Sequence, residues 1–202
     1  MPAPLNYSKE IILEEAFRIL RTEGLEALTA RNIARNLGCS TQPVYSAFGS
    51  MKALSDEVLK KAKAFAISYL LQDQNEEDLS LAMGMQYFRF ARAEKVLFRL
   101  LFLQGELAMT LETMPEVSGP LVERMKRDVY LQGLSLDRIQ RFGRDMWIYT
   151  HGLVAFMYES DRPDAETFVR AQLYRMGKTV IGWERVRANL PMLEVDDEMP
   201  LQ

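Results

Sequence analysis

The stretch from Thr29 to Leu54 reads T-A-R-N-I-A-R-N-L-G-C-S-T-Q-P-V-Y-S-A-F-G-S-M-K-A-L, and it constrains the chain more than any other part. Ile33, Ala34 and Leu37 fall on one face of a short helical pattern, while Arg31, Asn32, Arg35 and Asn36 fall largely on the other. Gly38 follows where a left-handed stop is wanted, since glycine alone reaches positive φ without steric cost. Ser40 or Thr41 can cap a second helix, with Pro43 in its first turn, where a missing N–H costs little. Val44, Ala47 and Phe48 are placed to bury one side of that helix, leaving Thr41, Gln42, Tyr45 and Ser46 outward. Two helices joined by a tight glycine turn, the second with small polar residues at its start, describe a helix-turn-helix. The bland alternative is a helical hairpin whose polar face is merely solvated.

The outward set suits a DNA major groove. Gln42 can pair bidentately with adenine, serine and threonine can reach base edges or phosphates, and the Pro43 ring can touch a thymine methyl. Upstream, Ser8 caps a helix with Ile12, Leu13, Ala16, Phe17, Ile19 and Leu20 as its apolar stripe, ended by Gly24. Downstream, Ser50 caps a longer helix with Leu54, Val58, Ala62, Phe65 and Tyr69 at helical spacing. Taken in register, Ala16, Phe17, Gly24, Thr29, Ile33, Ala34, Gly38, Tyr45, Phe48 and Leu54 resemble the N-terminal signature of TetR-type transcriptional regulators, over roughly residues 8–56. The chain departs from that pattern twice. Ala47 stands where a histidine usually precedes the phenylalanine, and Met51 where a lysine usually opens the fourth helix, with Lys52 one position later. The resemblance implies that both usual groups touch the DNA backbone, so altered phosphate anchoring is expected here.

Charge is consistent with a limited set of phosphate contacts. The 202-residue chain carries a formal net charge of −3, which argues against indiscriminate nucleic-acid binding. Residues 1–54 hold Lys9, Arg18, Arg21, Arg31, Arg35 and Lys52 against Glu10, Glu14, Glu15, Glu23 and Glu26, so this part is slightly basic and the rest acidic. Few phosphate contacts per subunit favour a dimer. Cys39 is the single cysteine, so no intrachain disulfide forms, which fits a reducing cytosol, and it reads as a small buried hydrophobe. The start, M-P-A-P-L-N-Y-S-K-E, lacks a secretion signal, and the apolar run Val96–Leu103 is short and contains Arg99. A cytoplasmic protein with no membrane partner is expected.

Beyond the acidic D-Q-N-E-E-D stretch after Gln72, five further helical patterns are expected. They are Asp78–Ala93, a nearly all-round apolar Lys95–Glu106, an amphipathic Leu121–Gln132 ending at Gly133, a long helix from Ser135 to Glu159, and a last one from an Asp164 cap to about Ala188. Residues 108–120, rich in methionine, proline and glycine, read as a loop. The acidic end, 189–202, reads as a flexible tail. The last two helices carry more apolar surface than one partner needs, and Gly143, Gly152, Gly177 and Gly182 permit close approach, so a four-helix bundle with a second copy is expected. A wide-faced monomeric bundle is the alternative. The resemblance, whose members dimerise through their last two long helices, favours the dimer.

Within the first of these helices, W-I-Y-T-H-G, Trp147 to Gly152, is similar to the tryptophan–histidine–glycine signature of one C-terminal domain type of TetR-type regulators. Trp147 and His151 lie one turn apart on one face. They can form an apolar wall and a polar handle, or can simply pack. With Met85, Phe88, Phe102 and Met109 they are the candidate ligand-binding set, methionine adapting to varied apolar shapes.

Catalytic chemistry is hard to find. One histidine and one cysteine, far apart, do not make a zinc site of familiar spacing. Gly177-Lys178-Thr179 resembles the end of a phosphate loop, but Gln172 occupies the required first glycine and the segment sits mid-helix. No enzyme, cofactor or metal is expected. The expectation is an all-α chain: a three-helix helix-turn-helix DNA-binding domain (1–54), a helical ligand-binding and dimerisation domain (55–188), and the tail (189–202). Its function would be ligand-responsive control of transcription, most often repression in proteins of the resembled type. The homodimer would sit on a palindromic double-stranded operator and answer a small-molecule effector. The DNA-binding set is Thr29, Arg31, Ser40, Thr41, Gln42, Pro43, Tyr45, Ser46, Ser50 and Lys52. The alternative is a helical sensor or adaptor acting through protein partners, its DNA contacts degraded.

Overall fold

The computed structural model describes residues 7–72, 78–104 and 119–192, and the regular elements among them are all helical. These are α1 (Lys9–Glu23), α2 (Ala30–Leu37), α3 (Gln42–Phe48), α4 (Met51–Leu70), α5 (Leu79–Ala93), α6 (Lys95–Phe98), α7 (Gly119–Met125), α8 (Leu136–Met157) and α9 (Ala165–Arg187). Short 3₁₀ turns cover Leu25–Ala27 and Val129–Leu131. No helix among the described residues is long and apolar enough to cross a membrane. The chain divides into two compact units, Met1–Ile67 with Glu94–Leu107, and Ser68–Ala93 with Ala108–Gln202.

In the first unit several helix ends have a chemical reason. The Ser8 hydroxyl accepts from the Ile11 N–H, Thr29 Oγ1 from Asn32 N–H and Ser50 Oγ from Ala53 N–H, filling donors that a helix start leaves unpaired. Gly38 ends α2 at φ +69°. Between these ends α1 buries Ile12, Ala16, Phe17, Ile19 and Leu20, which meet Ile33, Val44, Leu54, Val58 and Ala62, all almost completely buried. Each large apolar side chain so buried contributes about 1.5–3 kcal/mol. The unit also draws in residues far along the chain. The Arg21 guanidinium donates to the buried Glu94 carboxylate, through Nε at 2.6 Å, and lies 5.0 Å over the Phe65 ring.

The second unit is held by helix faces. Val122, Met125, Leu131, Leu134, Ile139, Phe142 and Ile181 form one cluster. At Gly143 a Cβ would stand 2.6 Å from Met125 Cε, the flexible end of that side chain, which would have to move aside. At Gly84 a Cβ would stand 2.9 Å from a Leu173 methyl. A Cβ at Gly152, in contrast, would meet nothing among the described residues. Buried charge is paired: Glu184 accepts from Arg138 at 2.7 Å, and Arg185 donates to the carbonyls of Pro191, Tyr130 and Gln132.

Several sequence expectations are corrected. The 95–106 segment is one turn of α-helix followed by a π turn, Arg99–Leu103, whose wider repeat brings Gln104 N–H to Arg99 O at 2.8 Å. It is buried on one side only, through Leu97, Phe98, Leu100 and Leu101, with Leu103 40% exposed. Residues 105–118 lie outside the described residues, and the helix expected from Leu121 starts at Gly119, with Pro120 in its first turn. That helix stops at Met125 because the buried Asp128 turns extended and its carboxylate accepts from Ser80 N–H, Ser80 Oγ–H and Tyr130 N–H. Two positions expected to cap a helix, and the residue ahead of α8, are not chemical caps. Thr41 and Ser135 make no side-chain cap bond, and the Asp164 carboxylate pairs with Arg162 instead.

Candidate nucleic-acid interface

On α3 the side chains separate by depth. Val44 is 1% exposed and faces the core, whereas Tyr45 is 47% exposed. Gln42 and Ser46 are also exposed, Pro43 is half-buried, and Ala47 and Phe48 are half-buried rather than sealed. Lys9 on α1 lies 5.0 Å over the Phe48 ring. Ser40 and Thr41, in the turn, are exposed. Gln42, Tyr45 and Ser46 therefore share the outer face of a helix whose other side is fixed by one buried valine.

The hydroxyls of this region fall into two groups. Those of Thr29 and Ser50 already accept a backbone N–H as caps, and each keeps its own proton to donate. Thr41 stands at an equivalent position on α3 with no cap bond, so its hydroxyl is wholly available to a partner. Arg31 is exposed, as is Arg35 one turn later on α2. Lys52 is exposed and pairs with Asp56 at 2.7 Å. An exposed pair of this kind is worth at most about 1 kcal/mol, so a phosphate can take the ammonium from it.

Two residues of the region were missed from sequence. Arg35 had its signal, as a cation on the polar face of α2. Tyr7 had none. Its hydroxyl donates to the Leu37 carbonyl at 2.9 Å, fastening the chain before α1 to the end of α2. Asn32 supports the same corner, donating to the Ala27 carbonyl at 2.8 Å.

Residues 12–58 match the family model of the bacterial regulatory proteins, tetR family. The match covers less than a quarter of the chain, so this head is similar to the helix-turn-helix of that family, and the match implies a DNA-binding transcriptional regulator. No curated protein matches the chain. The matched stretch takes in α2 and α3 of the head entirely, and every candidate DNA-binding residue lies inside it.

The candidate ligand-binding residues are placed as follows. In the second unit, Trp147 and His151 on α8 stack at 5.9 Å and 16°, and Tyr87 on α5 lies 4.9 Å from the Trp147 ring. Tyr87 Oη and His151 Nδ1 are hydrogen-bonded at 2.8 Å. Desolvation raises the pKa of the Tyr87 phenol and lowers that of the His151 imidazole, so both are neutral at physiological pH. Met85 and Phe88 belong to the same unit and are fully buried. Phe102 belongs to the first unit, 5.7 Å from the Phe98 ring. Met109 lies outside the described residues.

Proposed function

We propose that the chain is a ligand-responsive repressor that acts as a homodimer on a palindromic operator, with its DNA contacts in 1–54, regulation and dimerisation in 55–188, and an acidic tail in 189–202. The observation that carries the reading is the outward face of α3, where Gln42, Tyr45 and Ser46 stand exposed over the buried Val44. Thr29, Arg31, Ser40, Thr41, Pro43, Ser50 and Lys52 supply the surrounding base-edge and phosphate contacts.

Dimerisation is supported by the last two helices. Ile148 and Phe156 on α8 are 54% and 88% exposed, and Trp183 and Val186 on α9 are 62% and 54% exposed. Exposed apolar side chains along both of these helices support a surface that a second copy covers. For the effector, the Trp147–His151 stack with Tyr87 against it, and Met85 and Phe88 buried on the same helix as Tyr87, support an uncharged aromatic or aliphatic body with one hydrogen-bonding group. If that effector favours one spacing of the reading heads, operator weakens it by the same factor by which it weakens operator.

The test starts by selecting an operator from a randomised duplex pool and measuring affinity by fluorescence anisotropy at two salt concentrations. Gln42→Ala is expected to cost about 1–3 kcal/mol of specific binding with the fold intact. Lys52→Ala is expected to weaken all duplexes alike and reduce the salt slope by about one. Equal operator affinity for wild type and Gln42→Ala removes the assignment of α3, and no specific duplex at either salt leaves the adaptor reading. Sedimentation showing a monomer at micromolar concentration removes the dimer. Unchanged effector affinity in Trp147→Ala removes that residue from the ligand site.

A further inference from the structure

Lys178, on α9 in the second unit, has a side chain only 10% exposed, and its Nζ is buried with no hydrogen bond among the described residues. It lies 2.9 Å from the centroid of the Tyr130 ring and 5.1 Å from that of Tyr174, one turn earlier on α9. The Asp78 carboxylate, ahead of α5, is 3.7 Å away, within ion-pair range and outside hydrogen-bond reach. Asp128, completely buried, adds a second negative charge to the surroundings. Burial lowers the ammonium pKa from its ordinary 10.5, and the two aspartates work against that shift.

The arrangement is fixed from outside. The Asp128 carboxylate binds the N–H and hydroxyl of Ser80 and the N–H of Tyr130, which sets the backbone that presents the Tyr130 ring. Asp78 Oδ1 accepts from Leu81 N–H, so its carboxylate is anchored to the start of α5. A lysine needed only for an ion pair would bring Nζ to hydrogen-bond distance of an oxygen. Here the cation sits over the Tyr130 ring with the Asp78 carboxylate 3.7 Å away, a contact of ammonium with an aromatic face that strengthens when the pair is withdrawn from water.

We propose that Tyr130, Tyr174, Asp78 and Asp128 form a receptor for an alkylammonium group, occupied by the chain's own Lys178, and that a free primary alkylamine binds the same place once the lysine side chain leaves it. The ligand class is an unbranched primary amine no longer than the lysine stem, of which n-butylamine is the direct copy. A tethered guest competes at an effective concentration in the millimolar range, so in wild type the free amine is at a disadvantage. The site is separate from the Trp147–His151 stack, and its test requires neither DNA nor the repressor reading.

The experiment is thermal unfolding of full-length wild type and Lys178→Ala in n-butylammonium chloride, with equimolar sodium chloride and n-butanol as controls. The expected result is a saturable rise in the midpoint of Lys178→Ala with n-butylammonium alone, absent in wild type and weakened when Asp78→Asn is added. Equal stabilisation by n-butanol shows an apolar cavity and overturns the proposal, as does equal stabilisation of wild type or no response to the amine. Where Lys178→Ala does not fold, Lys178→Met keeps the stem without the charge. It should be less stable than wild type at neutral pH. Wild-type stability of Lys178→Met at neutral pH also overturns the proposal.

Discussion

The α2–α3 pair and the α8–α9 pair are both two adjacent helices, and they are held in opposite ways. The first pair is eight and seven residues long and is defined at its ends, by the Thr29 cap and by Gly38 and Gly49 at positive φ. The second is 22 and 23 residues long, and the residues at its two starts, Ser135 and Asp164, make no cap bond. It is held along its faces by Ile139, Phe142, Val169, Leu173 and Ile181, and by the buried Arg138–Glu184 pair. Helices shorter than about 12–15 residues are marginal alone, so their termini count for much of their stability. Long helices take theirs from packed faces and need no help at the ends.

The largest effect expected from this contrast is at Asp128, whose carboxylate caps the Val129–Leu131 turn and also ties it to the start of α5, 48 positions away. Asp128→Ala removes three hydrogen bonds to a buried carboxylate and strands two backbone donors, at a cost of about 3 kcal/mol or more. Urea denaturation reads it directly, and wild-type stability would end the claim that the second unit is held by such links. Next comes Gly38→Ala. A Cβ there would meet no neighbour, so only the backbone strain of φ +69° is felt, about 1–2 kcal/mol. Gly38→Asn should cost visibly less by the same measurement.

A finer test separates two threonines of the head. Thr29→Ala loses a cap bond and should cost about 1 kcal/mol of stability. Thr41→Ala loses none, so it should unfold like wild type while binding operator more weakly. Equal destabilisation of the two would show that Thr41 is a hidden cap. The smallest effect is a pH slope from the second unit. Burial depresses the His151 pKa below its ordinary 6.5, so the unfolded chain binds the proton more readily than the folded one. Stability is therefore complete above 6.5 and is lost as pH falls from there through the depressed value. His151→Gln should flatten that part of a stability profile measured from about pH 8 to about pH 5, and an unchanged profile would remove the imidazole as its source.

The same contrast explains what could be read in the sequence. Ser8, Gly24, Thr29, Gly38 and Ser50 act on backbone within a few residues, so the head was legible almost to the residue, and with it the outward set on α3. The second unit depends on partners that spacing does not reveal. Asp128 binds Ser80 across 48 positions, Arg185 reaches Tyr130 across 55, and Tyr87 meets His151 across 64. Leu121–Gln132 was read as one helix because its apolar spacing is helical, and nothing local announces that Asp128 will be claimed from afar. The apolar run Val96–Leu103 reads the same for an α or a π turn, so the change of repeat at Arg99 left no mark either.

The ion pair between Arg21 and Glu94 has a practical meaning for anyone exchanging parts between regulators. A chimaera made with a single cut after α4 would carry Arg21, Phe65 and the α1 surface away from Glu94, Leu97 and Leu101, which complete the same packing unit. The transplanted piece would arrive with an unmatched guanidinium and an uncovered flank. A graft that keeps its footing needs two seams, taking the segment that begins at Glu94 together with the first four helices, so the transferable module is spatial rather than contiguous.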